Sequence, residues 1–353
     1  MNRKMKALLY TGPYRLSMTE VPVPQVGEDE VLIRVKACGI CGSDVHGYTG
    51  KTGRRIPPLI MGHEAAGLIE KVGSLAKGRL EVGQHVTFDS TVFCNRCHFC
   101  RLGMINHCLK RQVFGVSTKS YRRHGAFAEY VAAPWWVVYP IPEELSFEYA
   151  AMLEPCAVAL HAVNRTPIHP EDTVIVIGAG TIGLFVVACV KLRGARRVIA
   201  VDLDSSRLRI ASQMGADLVL NPKEEDIPER VKELTNSLGA DVVLEAVGVP
   251  ETVKEALDIV RSDGQVTLIG NLTPRVEVGL QDIISREINI RGTYASAGEH
   301  RDCIKLFASG KINPAPILSK VLPLSEGPRV FKELLEGRPG LLKVILKPLF
   351  SEE

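Results

Sequence analysis

Charge of either sign is nowhere concentrated in this 353-residue chain. Lys and Arg number 43 against 40 Asp and Glu, a formal balance of +3, and both signs are scattered throughout. The lack of a basic tract or acidic tail argues against a nucleic-acid partner. Internal repeats and low-complexity segments are also missing, which removes solenoid and linker-like architectures. The opening MNRKMKALLYTGPYRL is positively charged but has no apolar run long enough for a secretory signal, so a cytoplasmic location is expected. Long uncharged runs are equally scarce. One of them, Thr173–Val190 (TVIVIGAGTIGLFVVACV), reaches the membrane-span threshold of about 18 residues. Three glycines within six residues break it, and β-branched residues crowd its first part. A buried strand, a tight turn and a buried helix are expected there, and no membrane partner.

What remains is a composition that can build cores. With 46% hydrophobic and 24% charged residues, the chain is long enough for about two domains. Its nine cysteines, in the absence of a leader, are expected to be reduced thiols or metal ligands rather than disulfides. The first 150 or so residues read as β-rich: EVLIRVKACGI, AAGLIEKVG and QHVTF are short strand-like runs separated by Gly and Pro. From Glu154 the pattern alternates strand and helix, from TVIVIG to EINIRG near Gly292, with one helix placed around Pro228–Leu238. Such alternation predicts an α/β, doubly wound parallel sheet with right-handed crossovers. After Glu299 a helix (HRDCIKLFASG) and a terminal strand (LLKVILKP) are expected to return to the β-rich part. The expected division is a catalytic domain of residues 1–153 and 299–353 around a cofactor domain of residues 154–298.

Gly178-Ala179-Gly180-Thr181-Ile182-Gly183 follows an apolar strand and opens a helix, and Asp202 ends the next strand. In that context G-x-G-x-x-G predicts a dinucleotide site: two glycines for the turn and close backbone approach, the third for helix packing. A carboxylate at Asp202 suits a ribose 2′-hydroxyl and repels a 2′-phosphate, which favours NAD over NADP. Arg207, five residues on, is the counter-indication; it is expected to lie along the adenine.

Cys94-x2-Cys97-x2-Cys100-x7-Cys108 supplies four thiolates from one loop, a set suited to a closed, structural Zn2+ site. A ferredoxin-type cluster shares the first spacing, but the long gap before Cys108 and the lack of a following proline speak against it. His98 and His107 are expected to be solvated. Other candidate ligands are dispersed: Cys41 in CGICGSDVH, His63-Glu64 in MGHEAAG, and Glu154 in LEPCAVALHA. Cys38 lies in a strand-like run and is expected in the core.

GICGSDVH, MGHEAAGLIEKVG, the four-cysteine loop, LEPCAVALHA and GAGTIG…VD occur in the order found in the zinc-dependent medium-chain dehydrogenase/reductase family, which the chain resembles over essentially its whole length. It looks most like the polyol (sorbitol-type) and threonine dehydrogenases, with sugar-alcohol phosphate dehydrogenases of the galactitol-1-phosphate kind also close. The resemblance implies a Rossmann cofactor domain plus a β-rich, GroES-like catalytic domain, and a homotetramer with a dimer as second choice. It implies Cys41 and His63 as catalytic-zinc ligands, and Glu64 and Glu154 as carboxylates that bind the metal directly or through water. Ser43 matches the hydroxyl that takes the substrate proton and His46 the imidazole that passes it on, while Asp44 orients a ligand. Gly270 and Asn271, with Thr293 and Tyr294, match segments that approach the nicotinamide half of NAD. These roles make chemical sense, since three protein ligands leave zinc an open position for an alcohol oxygen.

The substrate is less legible. Sorbitol-type enzymes carry an arginine where this chain has Ala295, which weakens sorbitol itself. Lys119, Arg122, Arg123 and His124 form a basic run that could hold a phosphate or carboxylate, or be a solvated turn. The expectation is an NAD-dependent polyol or sugar-alcohol dehydrogenase. A polyol phosphate or threonine substrate is the alternative, and a non-catalytic NAD-binding protein is the alternative of another class.

Overall fold

The computed structural model describes residues 3–350, and the chain divides into two units. The first comprises the described parts of Met1–Glu154 and Ser296–Glu353, and the second is Pro155–Ala295.

In the first unit the strand Glu30–Gly39 is central. It pairs antiparallel with Glu64–Val72 on one side and with Lys343–Lys347 and Tyr130–Pro134 on the other. His85–Phe88 and Val138–Pro140 extend the sheet beyond Glu64–Val72, and Leu318–Pro323 joins Lys343–Lys347 in parallel. Apolar side chains with no solvent exposure fill the unit, among them Ile33, Val35, Phe88, Phe127 and Phe331. Phe127 and Phe331 meet edge to face, with ring centres 5.8 Å apart, so the C-terminal segment shares the core of the N-terminal one. Cys38 is fully buried in the central strand.

One register brings distant polar residues together. Gly39 lies opposite Glu64 in one ladder and opposite Ile345 in the other. Three strand ends therefore meet, and the residues at or just beyond them, Cys41, His63 and Lys343, are neighbours although far apart in sequence.

The second unit is a six-stranded, all-parallel sheet. Its order runs Leu218–Leu220, Arg197–Val201, Thr173–Ile177, Ala240–Glu245, Val260–Leu268 and Asn289–Gly292. The order reverses beside Thr173–Ile177, the switch point at which doubly wound sheets open a crevice. All five residues of Thr173–Ile177 are buried, as expected of a strand covered on both faces. The uncharged stretch resolves into this strand and the helix Thr181–Arg193, which Gly194 ends in the left-handed conformation. Among the described residues no helix is long and apolar enough to cross a membrane. The helix expected over Pro228–Leu238 is shorter, Ile227–Leu234, because Asn236 and Ser237 turn to positive φ.

The glycines of the first crossover differ in what they permit. Gly178 has φ +94°, open to few other residues. A Cβ on Gly183 would lie 1.7 Å from the Gly178 carbonyl oxygen, so the helix packs on its strand only without a side chain there. A Cβ on Gly180 would meet nothing within 4 Å. Gly183→Ala is therefore expected to cost about 1–3 kcal/mol or more by overpacking, and Gly180→Ala less than about 1 kcal/mol. Urea unfolding of both variants checks this, and equal midpoints would contradict it.

Candidate active site

Cys41 follows the central strand of the first unit and caps the short helix Gly42–Tyr48. Its Sγ accepts from the Ser43 N–H at 3.4 Å, while the Asp44 carboxylate accepts from the Cys41 N–H at 3.4 Å. This reciprocal cap fixes both side chains at the helix start. Asp44 is fully buried, and its Oδ2 lies 3.5 Å from His63 Nδ1. That contact orients the imidazole so that its other nitrogen can serve as a ligand. Burial alone would push the Asp44 carboxyl up, but His63, Arg55 and the Cys41 N–H outweigh it and hold the group at about 2.

Glu64 opens the next strand, and its carboxylate receives a hydrogen bond from Lys343 Nζ at 2.5 Å; the two side chains are 1% and 2% exposed. They come from strands on opposite sides of Glu30–Gly39. A Cβ on the intervening Gly39 would lie 2.3 Å from Glu64 Oε2, so the missing side chain opens the path between them. Lys343 also donates to the Ile40 carbonyl at 3.0 Å. Removing one member of such a pair typically costs about 3–5 kcal/mol, because the other stays buried and unpaired.

Ligand atoms of Cys41, His63 and Glu64 all lie within 4.8 Å of one another. Glu154 stands outside this trio: it is buried, and its Oε1 accepts from Ser90 Oγ at 2.7 Å. Burial raises its pKa, with Glu64 adding to the rise and His63 opposing it. Charge bookkeeping supports a cation at this corner. With His63 neutral as a ligand, Cys41 as thiolate and ionised Asp44, Glu64 and Glu154 would bring four negative charges, and the buried Arg55 and Lys343 offset two. A divalent ion accepting sulfur, nitrogen and oxygen offsets the rest, and zinc fits that donor set. Ser43 and His46 are exposed, three residues apart on the Gly42–Tyr48 helix.

The four-cysteine loop closes on itself. The sulfurs of Cys94, Cys97, Cys100 and Cys108 all lie within 4.8 Å of one another, and none is in a disulfide. Asn95 adopts φ +56° to turn the loop, and the N–H groups of Cys94 and Lys110 donate to Cys108 Sγ at 3.2 and 3.4 Å. Backbone N–H groups of Leu109 and Cys100 bring the Cys97 thiol down to about 6. Burial, with the neighbouring sulfurs Cys97 and Cys108, pushes Cys100 up to about 12. Four such sulfurs ionise together only around a cation, and a tetrahedral zinc fits them.

In the second unit Asp202 follows the strand Arg197–Val201, as its spacing predicts. Its Oδ2 accepts from the Ala179 N–H at 2.7 Å and its Oδ1 from the Asp204 N–H at 2.9 Å, which ties it to the glycine turn. Arg207 turns back to this acidic pair, 4.0 Å from Asp202 and 3.8 Å from Asp204. Ile182 lies in the first turn of the helix Thr181–Arg193. Gly270 runs against the Gly248 backbone, where a Cβ would come within 2.1 Å of the Gly248 nitrogen, and Asn271 beside it is exposed. Thr293 donates its N–H to the Leu268 carbonyl, its buried hydroxyl has no partner, and Tyr294 is half-buried.

The basic run does not form one patch. Arg123 pairs with Glu30 at 3.2 Å and stacks over Phe114, whereas Arg122 donates to Pro57 and Ser117. His124 Nδ1 accepts from the Ile60 N–H, and Lys119 is exposed. Strand alternation at Arg122–Arg123 separates side chains that are adjacent in sequence.

Sequence reasoning missed a buried pair in the first unit. His300 and Asp89 are both fully buried, with Nδ1 and Oδ2 3.6 Å apart, and the imidazole stacks on Tyr139. Asp89 accepts from the Thr91 N–H and the Ser296 hydroxyl. Burial raises Asp89 to about 7 and lowers His300 to about 4, so between those values the proton rests on the carboxyl and the imidazole is neutral.

Comparison with known proteins adds family context. The zinc-binding dehydrogenase profile matches residues 181–309, and that of the alcohol dehydrogenase GroES-like domain matches residues 27–143. The chain is 35% identical to sorbitol dehydrogenase of Bacillus subtilis over 351 residues, 98% of each chain. It is 35% identical to L-threonine 3-dehydrogenase of Pyrococcus abyssi, covering 98% of this chain and all of that one. Among solved structures, a zinc-binding dehydrogenase of Sinorhizobium meliloti bound to NADP superposes with TM-score 0.89 at 32% identity, over 98% of this chain and 100% of that one.

The Asp89–His300 pair predicts a compensated pH response. Asp89 keeps a proton in the native state that the unfolded chain loses above 3.8, so its contribution to stability falls as pH rises from about 4 to about 7. His300 lacks a proton that the unfolded chain carries up to 6.5, so its contribution rises with pH from about 4 to 6.5. Relative to the unaltered protein, Asp89→Asn is expected to gain stability with pH across that window and His300→Gln to lose it. The slopes should approach about 1.4 kcal/mol per pH unit. Urea midpoints at stepped pH measure this, and two flat differences would refute the burial-driven protonation states.

Proposed function

Because the chain belongs to the zinc-dependent medium-chain dehydrogenase/reductase family, polyol and sugar-alcohol dehydrogenase-like, we propose that it transfers hydride from a secondary alcohol of a polyol to NAD. The observation that carries the reading is the meeting of Cys41, His63 and Glu64 at one sheet corner whose buried charges leave room for a divalent cation. In this reading zinc supplies Lewis acidity to the alcohol oxygen, and NAD supplies the hydride-accepting ring. Cys41 and His63 hold the metal, with Asp44 fixing the imidazole. Glu64 is held by Lys343, and Glu154, steadied by Ser90, presents a second carboxylate. The Ser43 hydroxyl takes the alcohol proton, and His46, likewise exposed three residues along the same helix, passes it to solvent. Cys94, Cys97, Cys100 and Cys108 hold a structural zinc.

For the cofactor, Gly178, Gly180 and Gly183 open the turn for the pyrophosphate, and Asp202 addresses the ribose 2′-hydroxyl. Engagement of Arg207 with Asp202 and Asp204 supports NAD over NADP, because it takes up the nearest cation. Gly270, Asn271, Thr293 and Tyr294 are assigned to the nicotinamide half, where the unpartnered Thr293 hydroxyl is suited to a carboxamide. Dispersal of the basic run supports an uncharged polyol over a phosphorylated one, since Arg123 is already committed to Glu30.

Metal analysis and turnover test the proposal together. The unaltered protein is expected to carry two zincs per chain and to reduce NAD with free polyols faster than with polyol phosphates or L-threonine. Cys41→Ala should keep one zinc and lose activity by at least about 100-fold, roughly 2.7 kcal/mol of transition-state stabilisation. Asp202→Gly should shift the NAD-to-NADP preference by about 10-fold, roughly 1.4 kcal/mol. One zinc with no turnover would favour a non-catalytic NAD-binding protein, and full activity in Cys41→Ala would sink the metal assignment.

A further inference from the structure

Asp44 places its two carboxylate oxygens on different partners. Oδ2 faces His63 Nδ1 and the Cys41 N–H, while Oδ1 faces Arg55 Nη2 at 3.4 Å. Arg55 comes from the loop between the Gly42–Tyr48 helix and the strand Leu59–Ile60, and its side chain is 5% exposed. Several features hold it there. Ile56 donates its N–H to Ser117 and Ser117 donates its own to Arg54, so the backbone on both sides of Arg55 is pinned. The arginine stem lies over Gly47, where a Cβ would come within 2.6 Å of Arg55 Cγ. The helix thus has no side chain at the position where the guanidinium stem crosses it.

We propose that Arg55 is a positioning residue for the metal-binding imidazole of His63, acting through Asp44. A fully buried carboxylate needs a counter-charge, and one with a free oxygen can rotate. Arg55 meets both needs through Oδ1, leaving Oδ2 to face Nδ1 and the other imidazole nitrogen to serve as the ligand. The arginine supplies charge and a planar array of donors: Nη2 faces Asp44, Nη1 donates to the Arg54 carbonyl at 3.2 Å, and Nε is buried without a partner. The inference rests on the metal reading of this corner.

The test is chelator competition on the full-length, zinc-loaded protein, with the four-cysteine zinc as internal reference. Arg55→Met is expected to release the Cys41–His63 zinc at about 10-fold lower chelator concentration, the lower end for an outer partner of a metal ligand. The four-cysteine zinc should be withdrawn as in the unaltered protein. Adding Arg55→Met to Asp44→Asn should change zinc affinity less than about twofold, because the route through Asp44 is already cut. Unchanged affinity in Arg55→Met, or the full loss repeated in the Asp44→Asn background, would overturn the proposal. Arg55→Lys keeps the charge without the planar donors and should fall between the two. If circular dichroism shows that Arg55→Met does not fold, Arg55→Lys decides, and affinity equal to the unaltered protein would then count against the role. An unaltered chain holding a single zinc would remove the metal reading itself, whereas two zincs indifferent to Arg55 would remove this inference alone.

Discussion

Gathering several anions in a dry interior is the constraint on which the first unit is built. The buried Asp44, Glu64 and Glu154, beside a half-buried Cys41, would repel one another if left unpaired. The sheet answers by bringing cations in from elsewhere in the chain, Lys343 along a neighbouring strand and Arg55 through a pinned loop. The Glu64–Lys343 contact depends in turn on the Gly39 register, because only a residue without a side chain lets a carboxylate pass from one flanking strand to the other. Backbone register, a missing Cβ and charge neutralisation are here a single arrangement.

The second unit meets a different demand. Its close contacts are mainly backbone: a glycine turn at φ +94°, a helix start with an open Cβ position, and loops that pass backbone to backbone at Gly248 and Gly270. Charge enters locally, through Asp202 and the fully buried Glu245, each held by two backbone N–H groups. The first unit is organised around compensated charge and the second around close approach, so a substitution of the same size has different consequences in each.

This contrast explains what could be read from the sequence. Gly178–Gly183 and Cys94–Cys108 are local, and in each the residues that act together are also close in the chain. Strand and helix alternation pointed to the doubly wound sheet for the same reason, since hydrophobic period is a local quantity. The Glu64–Lys343 pair joins residues 279 apart, and only register brings them together. Lys343 did leave a trace, as a cation inside the apolar run LLKVILKP. Asp89 and His300 left none, because an ordinary acid and an ordinary histidine in separate segments acquire meaning only through shared burial. SYRRHG shows the converse: residues adjacent in sequence left an anion site and a solvated turn both open, and strand alternation sends Arg122 and Arg123 to different partners.

Because Lys343 neutralises Glu64 from the strand next to Glu30–Gly39, the first unit is split in time as well as in sequence. A chain emerging from the ribosome presents Cys41, His63 and Glu64 early, the last of them 279 residues before the lysine that pairs with it. The continuous segment Pro155–Ala295 is synthesised in between, and its own sheet takes no strand from the C-terminal segment. The interior segment is complete in the emerging chain before the first unit is, and the unit that was begun earliest is finished last. A nascent chain that captures metal before that final strand arrives does so on an uncompensated corner, and the Lys343–Lys347 strand acts as the closing stitch of the whole molecule.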